Sequence, residues 1–172
     1  MTLKNLTMLS LYAALSLIIF TVESMIPPLV PIPGIKLGLA NIITLVLLRN
    51  YSAKDTALVL IARILLSAFF SGQAISLVYS LTGGMLSLAV MALINKLLAG
   101  HYLFLTSITG GIAHNLGQLL IAFLITQVAG VLVYLPFLIL GGMLTGLFTG
   151  LCAHFAQKYF ATYKLYQISK IR

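Results

Sequence analysis

Acidic residues are nearly missing: Glu23 and Asp55 are the only two among 172 residues. Two acids so far apart in sequence provide neither an Asp-rich pair for Mg²⁺ and pyrophosphate nor a carboxylate dyad for acid-base chemistry. Trp is absent, and Cys152 is the single cysteine, which excludes an intramolecular disulfide and a thiolate cluster. Charged residues make up only 7% of the chain, against about 25% in soluble domains. No G-x-x-x-x-G-K-[ST] phosphate loop is present. His101, His114 and His154 are scattered, with no H-E-x-x-H spacing, so neither a metal nor a cofactor is expected. No nucleophile and base can be placed together, so no catalytic residue is assigned.

What the chain does have is apolar bulk, with 61% hydrophobic residues and a mean hydropathy of +1.14. A chain this short cannot wrap that much apolar surface around one core in water, so lipid is its solvent. A bilayer core about 30 Å thick takes roughly 20 helical residues per crossing. The pattern therefore predicts an all-α integral membrane protein, a single domain over residues 1–160 with a basic tail over 161–172. Six transmembrane helices are expected, at about 6–26, 35–48, 56–70, 74–98, 103–128 and 133–159. Four of the five prolines fall between Pro27 and Pro33, where they exclude helix and make a stiff outer loop. Helices two and three are too short to cross without tilt or burial, and so read as interior elements.

Ten Lys and Arg give a net charge of +8. Lys4, Arg49, Lys54, Lys96, Lys158, Lys164, Lys170 and Arg172 all fall at one end of a six-crossing arrangement. The positive-inside rule makes that end cytoplasmic, so both termini are expected on the cytoplasmic side of a bacterial plasma membrane. The Lys and Tyr residues from Lys158 onward read as a segment lying on anionic lipid, and no motif supports nucleic-acid binding. Only Lys36 and Arg63 are left unexplained by orientation.

Polar groups inside a bilayer are expensive and tend to mark pathways or binding sites. Here their depths agree. Glu23 lies near the outer end of helix one, Lys36 and Asn41 in the outer part of helix two, and Ser71 and Gln73 at the turn between helices three and four. Arg63 is deeper, Tyr79 is about a turn and a half into helix four, and His114, Asn115 and Gln118 fall mid-way along helix five. A cavity open to the outside would collect all of them. Pro33 and Lys36 at the start of helix two add an anion-favouring helix end. In this reading Lys36, Arg63 and His114 hold the ligand head, Asn41, Tyr79, Asn115 and Gln118 orient it, and Glu23 positions Lys36. Each residue also has a structural alternative: Arg63 snorkelling, Lys36 paired with Glu23, and Asn115 and Gln118 as interhelical glue worth on the order of 1 kcal/mol each. Gly83-Gly84, Gly110-Gly111 and Gly141-Gly142, with Ser76, Ser80 and Ser87, read as close helix packing.

Two runs carry a family resemblance. Pro31 to Leu45 reads P-I-P-G-I-K-L-G-L-A-N-I-I-T-L, and Gly110 to Gln118 reads G-G-I-A-H-N-L-G-Q. Over nearly the whole chain they resemble the Gx transporter family, often labelled heptaprenyl diphosphate synthase component I. That family is similar to the S components of energy-coupling factor transporters. The resemblance implies an S-component-like bundle of six helices with an outward-facing pocket for a small vitamin-like molecule. It also implies two kinds of partner, a transmembrane coupling protein and a pair of cytoplasmic ATPases. The family's A-x-x-x-A contact on helix one corresponds here to Ser10-x-x-x-Ala14, which makes Ser10, Ala13 and Ala14 the expected partner-contact residues. With so few carboxylates, the synthase label reads as genomic association, not catalysis by this chain. Relatives linked to flavin-based extracellular electron transfer and demethylmenaquinone supply make a quinone-related ligand a further expectation. The alternative is a non-catalytic membrane subunit associated with prenyl diphosphate or menaquinone synthesis.

Overall fold

The computed structural model describes residues 3–26, 38–72, 74–98 and 102–169, with backbone alone for Ser71 and residues 160–169. These residues form six α-helices and no strand: α1 Leu3–Ser24, α2 Asn41–Asn50, α3 Ala53–Ser71, α4 Ala74–Leu97, α5 Leu103–Thr126 and α6 Leu135–Ser169. A 3-10 turn, Ala129–Tyr134, leads into α6. Among the described residues four stretches are long and apolar enough to cross a membrane: Leu3–Ser24, Ala74–Leu97, Leu103–Thr126 and Ala129–Tyr159. The protein is a helical membrane protein.

Local chemistry sets the helix ends. Ser52 caps α3: its hydroxyl oxygen accepts the Asp55 N–H at 3.1 Å, and the hydroxyl donates to the Asp55 carboxylate at 2.8 Å. This Ser-x-x-Asp arrangement satisfies an otherwise orphaned donor of the first turn. It starts α3 at Ala53, earlier than the apolar pattern indicated, because apolarity does not register a cap. Gly72, at φ +64°, closes the other end in the left-handed conformation. Beginning at Asn41, α2 is only 10 residues long, a difference from the expected start at residue 35. Gly38 adopts φ +83°, which no α-helix tolerates, and the chain turns through Leu39 and Ala40 before the helix can propagate. The helix of α6 continues past residue 159, where the sixth crossing was expected to end, and through most of the expected 161–172 tail to Ser169.

Packing inverts the soluble pattern. Phe69, Phe137, Leu144 and Phe155 face outward, while Glu23, Arg63, His114, Gln118 and several Ser and Thr side chains are buried. Apolar outside and polar inside is the arrangement a lipid solvent demands, since no water is available to the polar groups. The central helix is α5, which packs along both α4 and α6; α1 lies on α3, and α3 on α4. Glycine permits the closest approaches. A Cβ on Gly142 would stand 2.8 Å from the Gly111 carbonyl oxygen, and one on Gly117 would stand 2.9 Å from the Gly83 Cα. Backbone therefore meets backbone at the α5–α6 and α4–α5 crossings, as small residues allow in membranes. Beside them, Ser107 and Thr149 hydrogen-bond at 2.7 Å between α5 and α6. An apolar cluster including Leu45, Leu60, Ile64, Leu88 and Met91 fills the space beneath the polar groups.

Candidate functional site

Five segments converge on one small hollow. Its wall takes Phe20 and Glu23 from α1, Gly38 and Ala40 from the turn before α2 with Asn41 at the start of that helix, Arg63 from α3, Ser80 from α4, and His114 and Gln118 from α5. It lies towards the C-terminal end of α1 and the N-terminal part of α4, in the half of the bundle away from Lys4, Arg49, Lys54 and Lys96. The enclosed space is about 10 Å³, room for roughly one water molecule.

The polar lining is buried and incompletely bonded. Arg63 is 3% exposed and His114 4%. The Arg63 guanidinium lies over the Phe20 ring, 5.3 Å from its centroid, an arrangement that offsets part of the desolvation of a buried cation. Glu23 accepts the Gly38 N–H on Oε1, which ties the end of α1 to the turn before α2. Opposite charges from α1 and α3 thus share the hollow. The Arg63 Nε, His114 Nδ1 and Asn41 Oδ1 atoms are all buried with no hydrogen-bond partner. Buried polar groups are nearly always satisfied, so three such atoms around one hollow describe a place where hydrogen bonds remain to be made. Gly38 and Gly83 set its tightness: a Cβ on Gly38 would stand 2.9 Å from the His114 ring, and one on Gly83 would stand 3.0 Å from Gln118 Cγ.

A family model described as heptaprenyl diphosphate synthase component I matches residues 12–156. The chain belongs to that family. No curated protein and no solved structure matches it. Every residue lining the hollow falls within the component I match.

Of the residues singled out from this component I sequence, Glu23, Asn41, Arg63, His114 and Gln118 come together at the hollow. Two do not line it. Asn115 turns toward α6 and donates from Nδ2 to the Leu138 carbonyl at 2.8 Å. Tyr79 packs among Leu119, Ala122 and Leu138. Lys36 and Gln73 lie outside the described residues, together with the Ser71 side chain, the proline loop and the basic residues beyond α6. On α1, Ser10 and Ala14 are exposed side by side, whereas Ala13 is half-buried against a cluster that includes Leu9 and Ile43. Four members of the lining were missed: Gly38 and Ala40 in the turn before α2, Phe20 on α1 and Ser80 on α4. Ser80 was read as packing, and Phe20 carried no polar signal at all. Ser80 is Tyr79's neighbour on α4, about 100° around the helix, so depth was legible but the facing side chain was not. Among the described residues no group of three or more His, Cys, Asp or Glu is placed to hold a metal ion.

Proposed function

We propose that this chain is the substrate-binding membrane subunit of an energy-coupling factor type uptake transporter, capturing a small vitamin-like, quinone-related or anionic molecule from the outer side. The observation that carries this reading is the convergence of Arg63, His114 and Asn41, each with an unpartnered buried atom, on one hollow in a lipid-solvated bundle. Arg63 and His114 are the head-group ligands and Asn41 and Gln118 orient the head. Lys36, Ser71, Gln73 and Tyr79 complete the pocket as it opens, because a hollow the size of one water must widen to admit a ligand. The exposed Ser10 and Ala14 face of α1 serves a transmembrane coupling protein, which itself engages two cytoplasmic ATPases.

Ligand-dependent thermal stabilisation in detergent tests the reading, on the wild type and on Arg63→Ala and Asn115→Ala. The Arg63 variant loses the ligand response, while the Asn115 variant unfolds at lower temperature and keeps it. An undiminished response in Arg63→Ala rejects the assignment.

A second reading is favoured by the description of the family as one component of a prenyl diphosphate synthase. In it the chain is a non-catalytic membrane subunit that supports prenyl diphosphate or menaquinone synthesis. Affinity purification from native membranes separates the two: a coupling protein with ATPases supports transport, and a soluble prenyltransferase supports the second reading.

A further inference from the structure

The orientation of one amide at the hollow follows from a chain of hydrogen bonds running away from it. Gly110 presents a backbone carbonyl, which can only accept. The Ser87 hydroxyl donates its single proton to that oxygen at 2.8 Å. With its proton committed, Ser87 Oγ can only accept, and it does so from Asn41 Nδ2 at 3.4 Å. With the Asn41 amide turned over, Ser87 would either face a lone-pair-bearing oxygen or give up its bond to Gly110, so the orientation with Nδ2 on Ser87 is the one that keeps both bonds. Ser87 is wholly buried, at 0% exposure. The consequence at the other end of the amide is that Asn41 Oδ1 is buried without a partner on a residue that lines the hollow.

We infer that Ser87 is a positioning residue that fixes Asn41 with its carbonyl toward the hollow, so that the captured molecule presents an N–H or O–H donor beside an acceptor. The acceptor meets Arg63, whose Nε is a donor in need of one, and the donor meets Asn41 Oδ1. A head with acceptors alone, such as a quinone, leaves the Asn41 carbonyl desolvated and unpaired. Its hydroxyl, lactam or imide counterpart does not. Sites built to hydrogen-bond a ligand group reject the analogue that lacks it far more strongly than apolar pockets reject a missing methylene. The inference rests on the capture reading and adds to it the hydrogen-bonding class of the ligand.

The test uses matched probes that differ by methylation of the donor: 4-hydroxybenzoate against 4-methoxybenzoate, and uracil against 1,3-dimethyluracil. Their affinities are measured with the full chain in detergent by thermal-shift titration, and the quantity read is the ratio within each pair. The wild type prefers the donor-bearing member of at least one pair by about tenfold or more, the expected penalty for one unpaired buried acceptor. Ser87→Ala frees the amide to turn, and Asn41→Leu removes its carbonyl. Both bring the ratio toward one, while Arg63→Leu weakens the two members of a pair alike. The Asn41 variant keeps the test decisive if the Ser87 variant fails to fold. Equal binding of a pair to the wild type, with both members weakened by Arg63→Leu, overturns the inference and leaves capture standing. A preference that survives in both Ser87→Ala and Asn41→Leu also overturns it. No response to any of the four probes counts against the capture reading as well.

Discussion

The central guanidinium carbon of Arg63 stands 5.3 Å from the centroid of the Phe20 ring, joining α3 to α1 at the wall of the hollow. A cation buried in a lipid-solvated bundle has few ways to recover its lost hydration, and an aromatic face is one of them. Phe20→Leu keeps most of the apolar volume and removes the face. It is expected to lower the stability of the purified protein by about 1–2 kcal/mol, read from thermal unfolding in detergent. Phe20→Tyr should lie close to the wild type, provided its hydroxyl finds a partner.

Gly38 and Gly72 both adopt left-handed backbone conformations, but their surroundings differ. A Cβ at Gly72 meets nothing within 4 Å, whereas one at Gly38 meets the His114 ring at 2.9 Å and the Asn41 amide at 3.2 Å. Gly72→Ala is therefore expected to carry only the backbone penalty, about 1 kcal/mol. Gly38→Ala should add steric displacement of two lining residues, and with it loss of any ligand-induced stabilisation. Comparing the two melting curves isolates the contribution of the clash.

At the α5–α6 crossing the backbones leave no room for side chains. Gly142→Ala places a methyl 2.8 Å from the Gly111 carbonyl oxygen, an atom that cannot rotate aside. Destabilisation of about 3 kcal/mol is expected. In a cycle with Gly111→Ala the double variant should lose less than the sum of the singles, because the first substitution already forces the helices apart. Strict additivity would show that the two glycines do not share a contact.

Ser107 and Thr149 join the same helices through their hydroxyls at 2.7 Å. Ser107→Ala and Thr149→Val, taken singly and together, should give a coupling energy of about 0.6 kcal/mol, the usual size for a hydrogen bond between membrane helices. Neither change should alter ligand response, since both residues lie outside the hollow's lining.

Much of this arrangement could be read from the residues before any coordinates. Composition called for a lipid-solvated helical chain, and the glycine pairs on α4, α5 and α6 marked close packing. The depth of the polar groups also pointed to a common level, because depth depends only on counting along each helix. Azimuth does not. Whether His114 or its neighbour Asn115 faces the hollow depends on how α5 rolls against α4 and α6, and that is fixed by where backbones touch at Gly117 and Gly111. Tyr79 and Ser80 exchanged roles for the same reason. The start of α2 was misplaced because Gly38 leaves helical geometry at a point where its neighbours are good helix formers. Its N–H is held by a carboxylate 15 residues earlier in the chain, and so long-range a contact has no local signal.

The glycine crossings also decide where the bundle can yield. With backbone already against backbone between α4, α5 and α6, that slab has no slack to give. Among the described residues the opposite wall is held through side chains: the Leu9, Ile43, Leu47 and Val59 cluster, an aromatic ring under a guanidinium, and a carboxylate accepting a turn N–H. Whatever enlarges the hollow must swing that flank outward, so spin labels spanning α1 and α5 would report a breathing motion to which a pair on α4 and α6 stays blind.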